Sequence, residues 1–243
     1  MRLRFLSALF LVVAMVGTAL AGSTGPGIGP DEALQRLKEG NARFVAETPT
    51  RQNLSAKRLA TSQHGQTPYA TILSCADSRA PVELIFDEGV GDLFVIRVAG
   101  NVAATDEVGT AEYGADHLNV PLLVVMGHTQ CGAVTAVVQG AEVHGSIPML
   151  VAPIVPAVTA VEKSNPKHDR AALVPKVIEA NVWQAIDDTM RQSPIIRARV
   201  AAGKLKVVGA IYHIDDGKVE WLGEHPMQAR LLNYTSGPAK AHR

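Results

Sequence analysis

Cys75 and Cys131 are the two cysteines of the 243-residue chain, and each stands just past a short apolar run. Tyr69-Ala70-Thr71-Ile72-Leu73 leads into Ser74-Cys75-Ala76-Asp77-Ser78-Arg79. Leu122-Leu123-Val124-Val125-Met126 leads into Gly127-His128-Thr129-Gln130-Cys131-Gly132. Thiolate and imidazole are ligands of tetrahedral zinc, and three protein ligands leave a fourth position for water or an anion. The His128-x-x-Cys131 spacing puts two such ligands on one turn, and Cys75 can join them from a neighbouring strand end. Cys75, His128 and Cys131 are therefore the expected ligands of one Zn2+. Cysteine count alone also allows a Cys75–Cys131 disulfide in an oxidising compartment. The matched surroundings of the two cysteines favour the metal.

Asp77 and Arg79 lie two and four residues after Cys75. On a turn, such a carboxylate and guanidinium can bond in bidentate fashion. Arg79 would hold Asp77 ionised and oriented, leaving Asp77 to accept a hydrogen bond from a zinc-bound hydroxide. A solvated turn with a surface ion pair is the plainer reading, and the adjacent cysteine weighs against it.

Other elements must bring these turns together. Asp31-Glu32-Ala33-Leu34 opens a helix, with Asp31 as N-cap behind Pro30. Leu34, Leu37, Phe44 and Val45 form its apolar side, and Gly40-Asn41 is expected to kink or end it. A short helix around residues 55–60 precedes a strand over 68–74. A short helix over 81–86, a strand over 93–98, a helix around 110–118 and a strand over 121–126 follow. Residues 132–138 continue as a helix whose N-terminus favours negative charge. The proline-interrupted stretch 143–170 reads as loops and short helices. Ile178, Val182, Ile186 and Met190 recur at helical spacing, and Ser193-Pro194 breaks that helix. A strand over 205–212 is followed by Asp215-Asp216-Gly217, a hairpin signal into an antiparallel edge strand over 218–221. Apolar strands separated by helices predict an α/β fold: four parallel strands plus the antiparallel edge strand, flanked by helices. In such sheets ligands gather beyond the carboxyl ends of the strands, which is where both clusters fall.

Lys plus Arg balances Asp plus Glu at 23 each, so neither a nucleic-acid surface nor an acidic tail is indicated. A 47% hydrophobic and 19% charged composition suits a globular chain with a substantial core. Arg2 and Arg4 precede an apolar run that ends at Ala19-Leu20-Ala21. That is the pattern of a secretory signal over residues 1–21, cleaved after Ala21, and the run is short for a membrane span. The expected product is exported, periplasmic in a bacterium, and free of the membrane. Residues 22–30 are expected to be a Gly/Pro-rich flexible lead, and residues 31–243 to form a single zinc-binding α/β catalytic domain.

Together, Cys75-Ala76-Asp77-Ser78-Arg79 and His128-Thr129-Gln130-Cys131-Gly132 resemble the β-class carbonic anhydrases. Gly40-Asn41-Ala42-Arg43-Phe44, Gly91-Asp92-Leu93-Phe94, Arg97-Val98-Ala99-Gly100-Asn101 and Gly209-Ala210-Ile211-Tyr212 extend the likeness over most of the chain. The resemblance implies reversible hydration of CO2 to bicarbonate and a proton, the carbonate dehydratase reaction. It implies one Zn2+ per subunit on Cys75, His128 and Cys131, with Asp77 and Arg79 as the catalytic dyad. Bound zinc lowers the pKa of its water to about 7, carbonic anhydrase itself being the standard example. Gln66 and the Gly132 N–H are implied as contacts to substrate oxygens. A homodimer or homotetramer is implied, whose subunits share the pocket, with the N-terminal helix wrapping a partner.

Some members let the Asp bind zinc and carry a bicarbonate pocket of Trp, Arg and Tyr. Tyr212 matches that Tyr, but Ile72 stands at the Trp position, so an open site is expected here. Two alternatives keep the same ligands: action on carbon disulfide or carbonyl sulfide, and a non-catalytic zinc-binding protein. The second calls for a broken dyad, and both Asp77 and Arg79 are present. His64, His117, His144, His168, His213, His225 and His242 are proton-shuttle candidates by ordinary pKa alone.

Overall fold

Runs of Val, Ile and Leu too short for helices line up as one sheet. The computed structural model describes residues 25–50 and 54–235; the signal segment lies outside the described residues. In chain order the elements are α1 (Pro30–Val45), α2 (Leu54–His64), β1 (Ala70–Ser74), α3 (Val82–Ile85), β2 (Leu93–Arg97) and α4 (Thr105–Glu112). Then come β3 (Leu122–His128), α5 (Gly132–Gln139), α6 (Ile147–Val151), α7 (Val155–Ser164) and α8 (Val174–Gln192). α9 (Pro194–Ala201), β4 (Lys206–Tyr212), β5 (Val219–Gly223) and α10 (Gln228–Leu232) complete the order.

The strand order is β2-β1-β3-β4-β5. The first four run parallel and β5 returns antiparallel to β4, the sheet expected from the sequence. β1 and β3, in the middle, are buried along their whole length, as parallel strands covered on both faces must be. Leu73, Leu123, Val125, Val207 and Ile211 pack beneath Ile178, Val182 and Ile186 of α8. On the opposite face Ile72, Val124 and Val208 meet Ala33 and Leu37 of α1, with Ile85 and Phe86 at the end of α3.

Several elements depart from their expected limits for local reasons. Pro30 is the first residue of α1 and Gly29 its N-cap, because proline's fixed φ and missing N–H suit the first helical position. Asp31 therefore sits in the first turn rather than capping it. Gly40 neither kinks nor ends the helix. It lets α1 lie against α3, since a Cβ there would stand 1.8 Å from the Phe86 carbonyl oxygen. Beside it, buried Asn41 donates to the Ile85 and Gly217 carbonyls at 3.2 and 2.9 Å and accepts from the Val219 N–H at 2.9 Å. Ala33, Leu37 and Asn41 of α1 thus cover this chain's own sheet and hairpin. α4 begins earlier than its apolar pattern indicates, because the Ala104 N–H donates to Glu107 at 3.0 Å, closing the first turn. A π-helical turn, Tyr113–His117, extends it.

α2 is strapped to the loop before β2 by a Lys57–Asp92 ion pair. Below it the Tyr69 hydroxyl donates to Glu88 at 2.7 Å. Burial, with Asp92 adding repulsion, pushes the Glu88 carboxyl up to about 7, against the opposing Tyr69 hydrogen bond.

Three substitutions test this packing. Gly40→Ala should destabilise the fold by at least the roughly 1–3 kcal/mol of an overpacked core. Exposed Gly109 in α4 has nothing within 4 Å of a built Cβ, so Gly109→Ala should stabilise by about 0.5–1 kcal/mol; urea unfolding reads both. Glu88 binds its proton more tightly folded than unfolded. Its stabilising share is full below the ordinary value of about 4.3 and is lost as pH rises through about 7. Glu88→Gln should flatten that fall when urea midpoints are measured across the window.

Candidate metal centre

β1 and β3 are hydrogen-bonded neighbours, with Ser74 opposite Met126. Cys75 leaves the end of β1, while β3 runs on to His128, opposite Tyr212 of β4. Gln130 then takes a left-handed conformation, φ +58°, which costs a non-glycine residue about 1–2 kcal/mol. The turn it makes sets Cys131 at the N-cap of α5. Cys75 Sγ, Cys131 Sγ and a ring nitrogen of His128 all lie within 4.8 Å of one another, and all three residues are buried. Both cysteines are free thiols, so the disulfide reading does not describe this structure.

The His128 ring has a defined tautomer. Its Nδ1 lies 2.8 Å from the Thr129 carbonyl oxygen, which can only accept, so Nδ1 carries the proton. Nε2 is then left with its lone pair. It is buried without a hydrogen-bond partner among the described residues. A buried orphan acceptor beside two free thiols fits a soft divalent cation such as Zn2+. The Thr129 carbonyl is the fixed outer partner that a metal-binding imidazole needs. Thr129 is itself held, its N–H donating to the Tyr212 carbonyl at 2.9 Å and its hydroxyl accepting from the Ile214 N–H at 3.0 Å.

The two thiols differ in acidity. The Cys131 hydrogen bond draws the Cys75 thiol below its ordinary range against the opposing effect of burial, helped by the Gly100 N–H, which lies 3.3 Å from Cys75 Sγ. The same bond, and burial, push Cys131 up. A bound dication would favour thiolate at both.

Asp77 and Arg79 form the expected pair. Arg79 Nε donates to Oδ1 at 2.9 Å and Nη2 to Oδ2 at 2.8 Å, with the Arg79 backbone N–H also on Oδ1 at 2.9 Å. Those bonds from Arg79 hold the Asp77 carboxyl well below the usual carboxylate range. Asp77 Oδ2 stands 3.8 Å from His128 Nε2. Arg79 also reaches the Gln130 carbonyl at 3.3 Å, tying the two ligand turns together.

Gly132 opens α5 with open space where a side chain would be. Gln66 is exposed in the loop before β1, and among the described residues no hydrogen bond joins it to the cluster. Ile72 is fully buried, and Tyr212 belongs to the α1 face of the sheet. Arg97 is a residue whose part the sequence reading missed. From the end of β2 it donates to the Cys75 carbonyl at 3.1 Å and the Asp77 carbonyl at 2.5 Å, clamping the first turn. Its place at the head of Arg97-Val98-Ala99-Gly100-Asn101 was the available signal.

Comparison with known proteins agrees with this geometry. The Carbonic anhydrase family profile matches residues 70–219. Carbonic anhydrase 2 of Mycobacterium tuberculosis is 39% identical over 197 residues, covering 79% of this chain and 93% of that protein. Among solved structures, the β-carbonic anhydrase CafA of Aspergillus fumigatus superposes with a TM-score of 0.66 at 26% identity, over 85% of this chain and 99% of that one. A tetrameric β-carbonic anhydrase of Sordaria macrospora shares the fold, with a TM-score of 0.63 at 23% identity over 79% and 98% of the two chains. The chain belongs to the β class of the carbonic anhydrase family, carbonate dehydratases that interconvert CO2 and bicarbonate.

Proposed function

We propose that this chain hydrates CO2 reversibly at one Zn2+ per subunit, held by Cys75, His128 and Cys131, with Asp77 and Arg79 as the catalytic pair. The observation that carries this is the three buried ligand atoms within 4.8 Å of one another, beside a carboxylate that Arg79 grips at both oxygens. Zn2+ there supplies the Lewis acidity that makes water a nucleophile near neutral pH, an effect for which carbonic anhydrase is the standard example. Asp77, held ionised, accepts a hydrogen bond from the attacking water and aims its lone pair at the carbon of CO2. With both oxygens engaged by Arg79, Asp77 would be kept out of the ion's ligand set, which Cys75, His128 and Cys131 would supply. The Gly132 N–H, at the start of α5, donates to the oxygen on which negative charge develops. Gln66 supplies a second donor; its exposure suits a pocket lined from two subunits.

A homodimer or homotetramer is proposed with this site. The tetrameric Sordaria relatives and the exposed Leu54, Leu59 and Leu84 support it. Export, with residues 1–21 removed, is proposed on the basic-then-apolar start ending at Ala19-Leu20-Ala21, and in a bacterium this means the periplasm.

Metal analysis and stopped-flow CO2 hydration test the roles together. Cys75→Ser and His128→Ala should lose both zinc and activity. Asp77→Ala should keep its zinc and lose turnover by about 10²-fold or more. Near-native turnover in that variant would remove Asp77 from the mechanism.

A further inference from the structure

The Gly100 N–H that points at Cys75 Sγ has to be aimed by something. It belongs to a turn in which Gly100 and Asn101 are both left-handed, at φ +79° and +43°. The Asn101 N–H closes the turn on the Val98 carbonyl at 3.1 Å. Gly100 has little room to move, since a Cβ there would come 2.7 Å from Ile154 Cδ1. Two successive left-handed residues are unfavourable, the second for lack of a glycine, so the turn needs an outside anchor. That anchor is Asn181, 81 residues later on α8, whose Nδ2 donates to the Gly100 carbonyl at 2.7 Å.

Asn181 is a costly residue at its position. It is 1% exposed and shares the buried side of α8 with Val177, Ile178, Val182 and Ala185. A side-chain amide in such a place must be repaid by a specific bond. Its neighbour Val182 fixes α8 against the other ligand turn, because a Cβ on Gly127, the residue before His128, would stand 2.9 Å from Val182 Cγ2. One stretch of α8 is thus keyed to both halves of the metal centre.

We propose that Asn181 is a positioning residue for the metal centre: by holding the Gly100 carbonyl it aims the Gly100 N–H at the Cys75 sulfur and so sets how that sulfur binds the ion. This rests on the reading of Cys75 as a metal ligand. Outer partners of metal ligands typically govern about 10–100-fold in affinity. Buried Thr189 on the same helix provides the control, since its hydroxyl donates only to the Ala185 carbonyl within α8, at 2.8 Å.

The test uses full-length protein and the variants Asn181→Leu, Asn181→Ser and Thr189→Val. Zn2+ affinity is measured by competition with a chromophoric chelator, and the thiolate-to-metal absorption band is recorded after loading with Co2+. Both Asn181 variants should bind Zn2+ about 10–100-fold more weakly and show an altered cobalt–thiolate band. Thr189→Val should change neither, whatever it does to thermal stability. A folded Asn181 variant with parental affinity and spectrum would overturn the proposal, as would equal changes in Thr189→Val. A second measurement needs no variant. In the parent loaded with NMR-active cadmium, the Gly100 amide proton should couple to the ion through sulfur, and absence of that coupling breaks the chain of contacts. A parent that binds neither Zn2+ nor Co2+ would bring down the metal-centre reading and Asn181 with it. Normal binding in the parent, unchanged in the variants, would remove Asn181 alone.

Discussion

The pairing of β1 with β3 is the contact on which the site depends. Neither strand carries the cluster alone, and Cys75 and His128 are 53 positions apart in the chain. Parallel pairing with Ser74 opposite Met126 sets the two carboxyl ends side by side, β3 running on two residues to His128. A slip of one residue would send every side chain of a strand to the opposite face. Here such a slip is opposed from both sides, because Leu73 and Val125 face α8 while Ile72 and Val124 face α1. The apolar core is therefore what sets the ligand spacing.

Around that frame a few polar contacts convert proximity into orientation. Arg97 clamps the Cys75–Asp77 turn by two carbonyls, and Thr129 fixes the imidazole and is fixed by β4. Arg79 bridges the two turns while occupying the Asp77 carboxylate. Nearly all of these bonds run to backbone groups, which hold their places better than long side chains do. The result is a site whose donor atoms are buried and oriented, with one carboxylate restrained beside them.

Much of this was legible because cysteine is scarce. Two cysteines in matching strand-end turns, with His128 beside one and Asp77-Ser78-Arg79 beside the other, leave few other readings, and the apolar runs and the Asp215-Asp216-Gly217 hairpin signal gave the sheet. What stayed hidden depends on contacts between distant segments. Gly40 looks like a helix breaker until the Phe86 carbonyl is seen against it. Asn41, expected with Gly40 to kink or end the helix, is instead bonded to Ile85, Gly217 and Val219. The early start of α4 turns on one Glu107 side chain. Arg97 and Asn181 act through backbone carbonyls of remote residues, and no local pattern announces such a bond.

The central claim is that Cys75, His128 and Cys131 surround one zinc ion and leave one position open. X-ray absorption at the zinc edge, on protein purified without added metal, addresses that shell directly. The expected spectrum has two sulfur neighbours at about 2.3 Å and two nitrogen or oxygen neighbours at about 2.0–2.2 Å, from one equivalent of zinc. A shell without sulfur, or a metal-free protein in which the two cysteines are oxidised to each other, would contradict it.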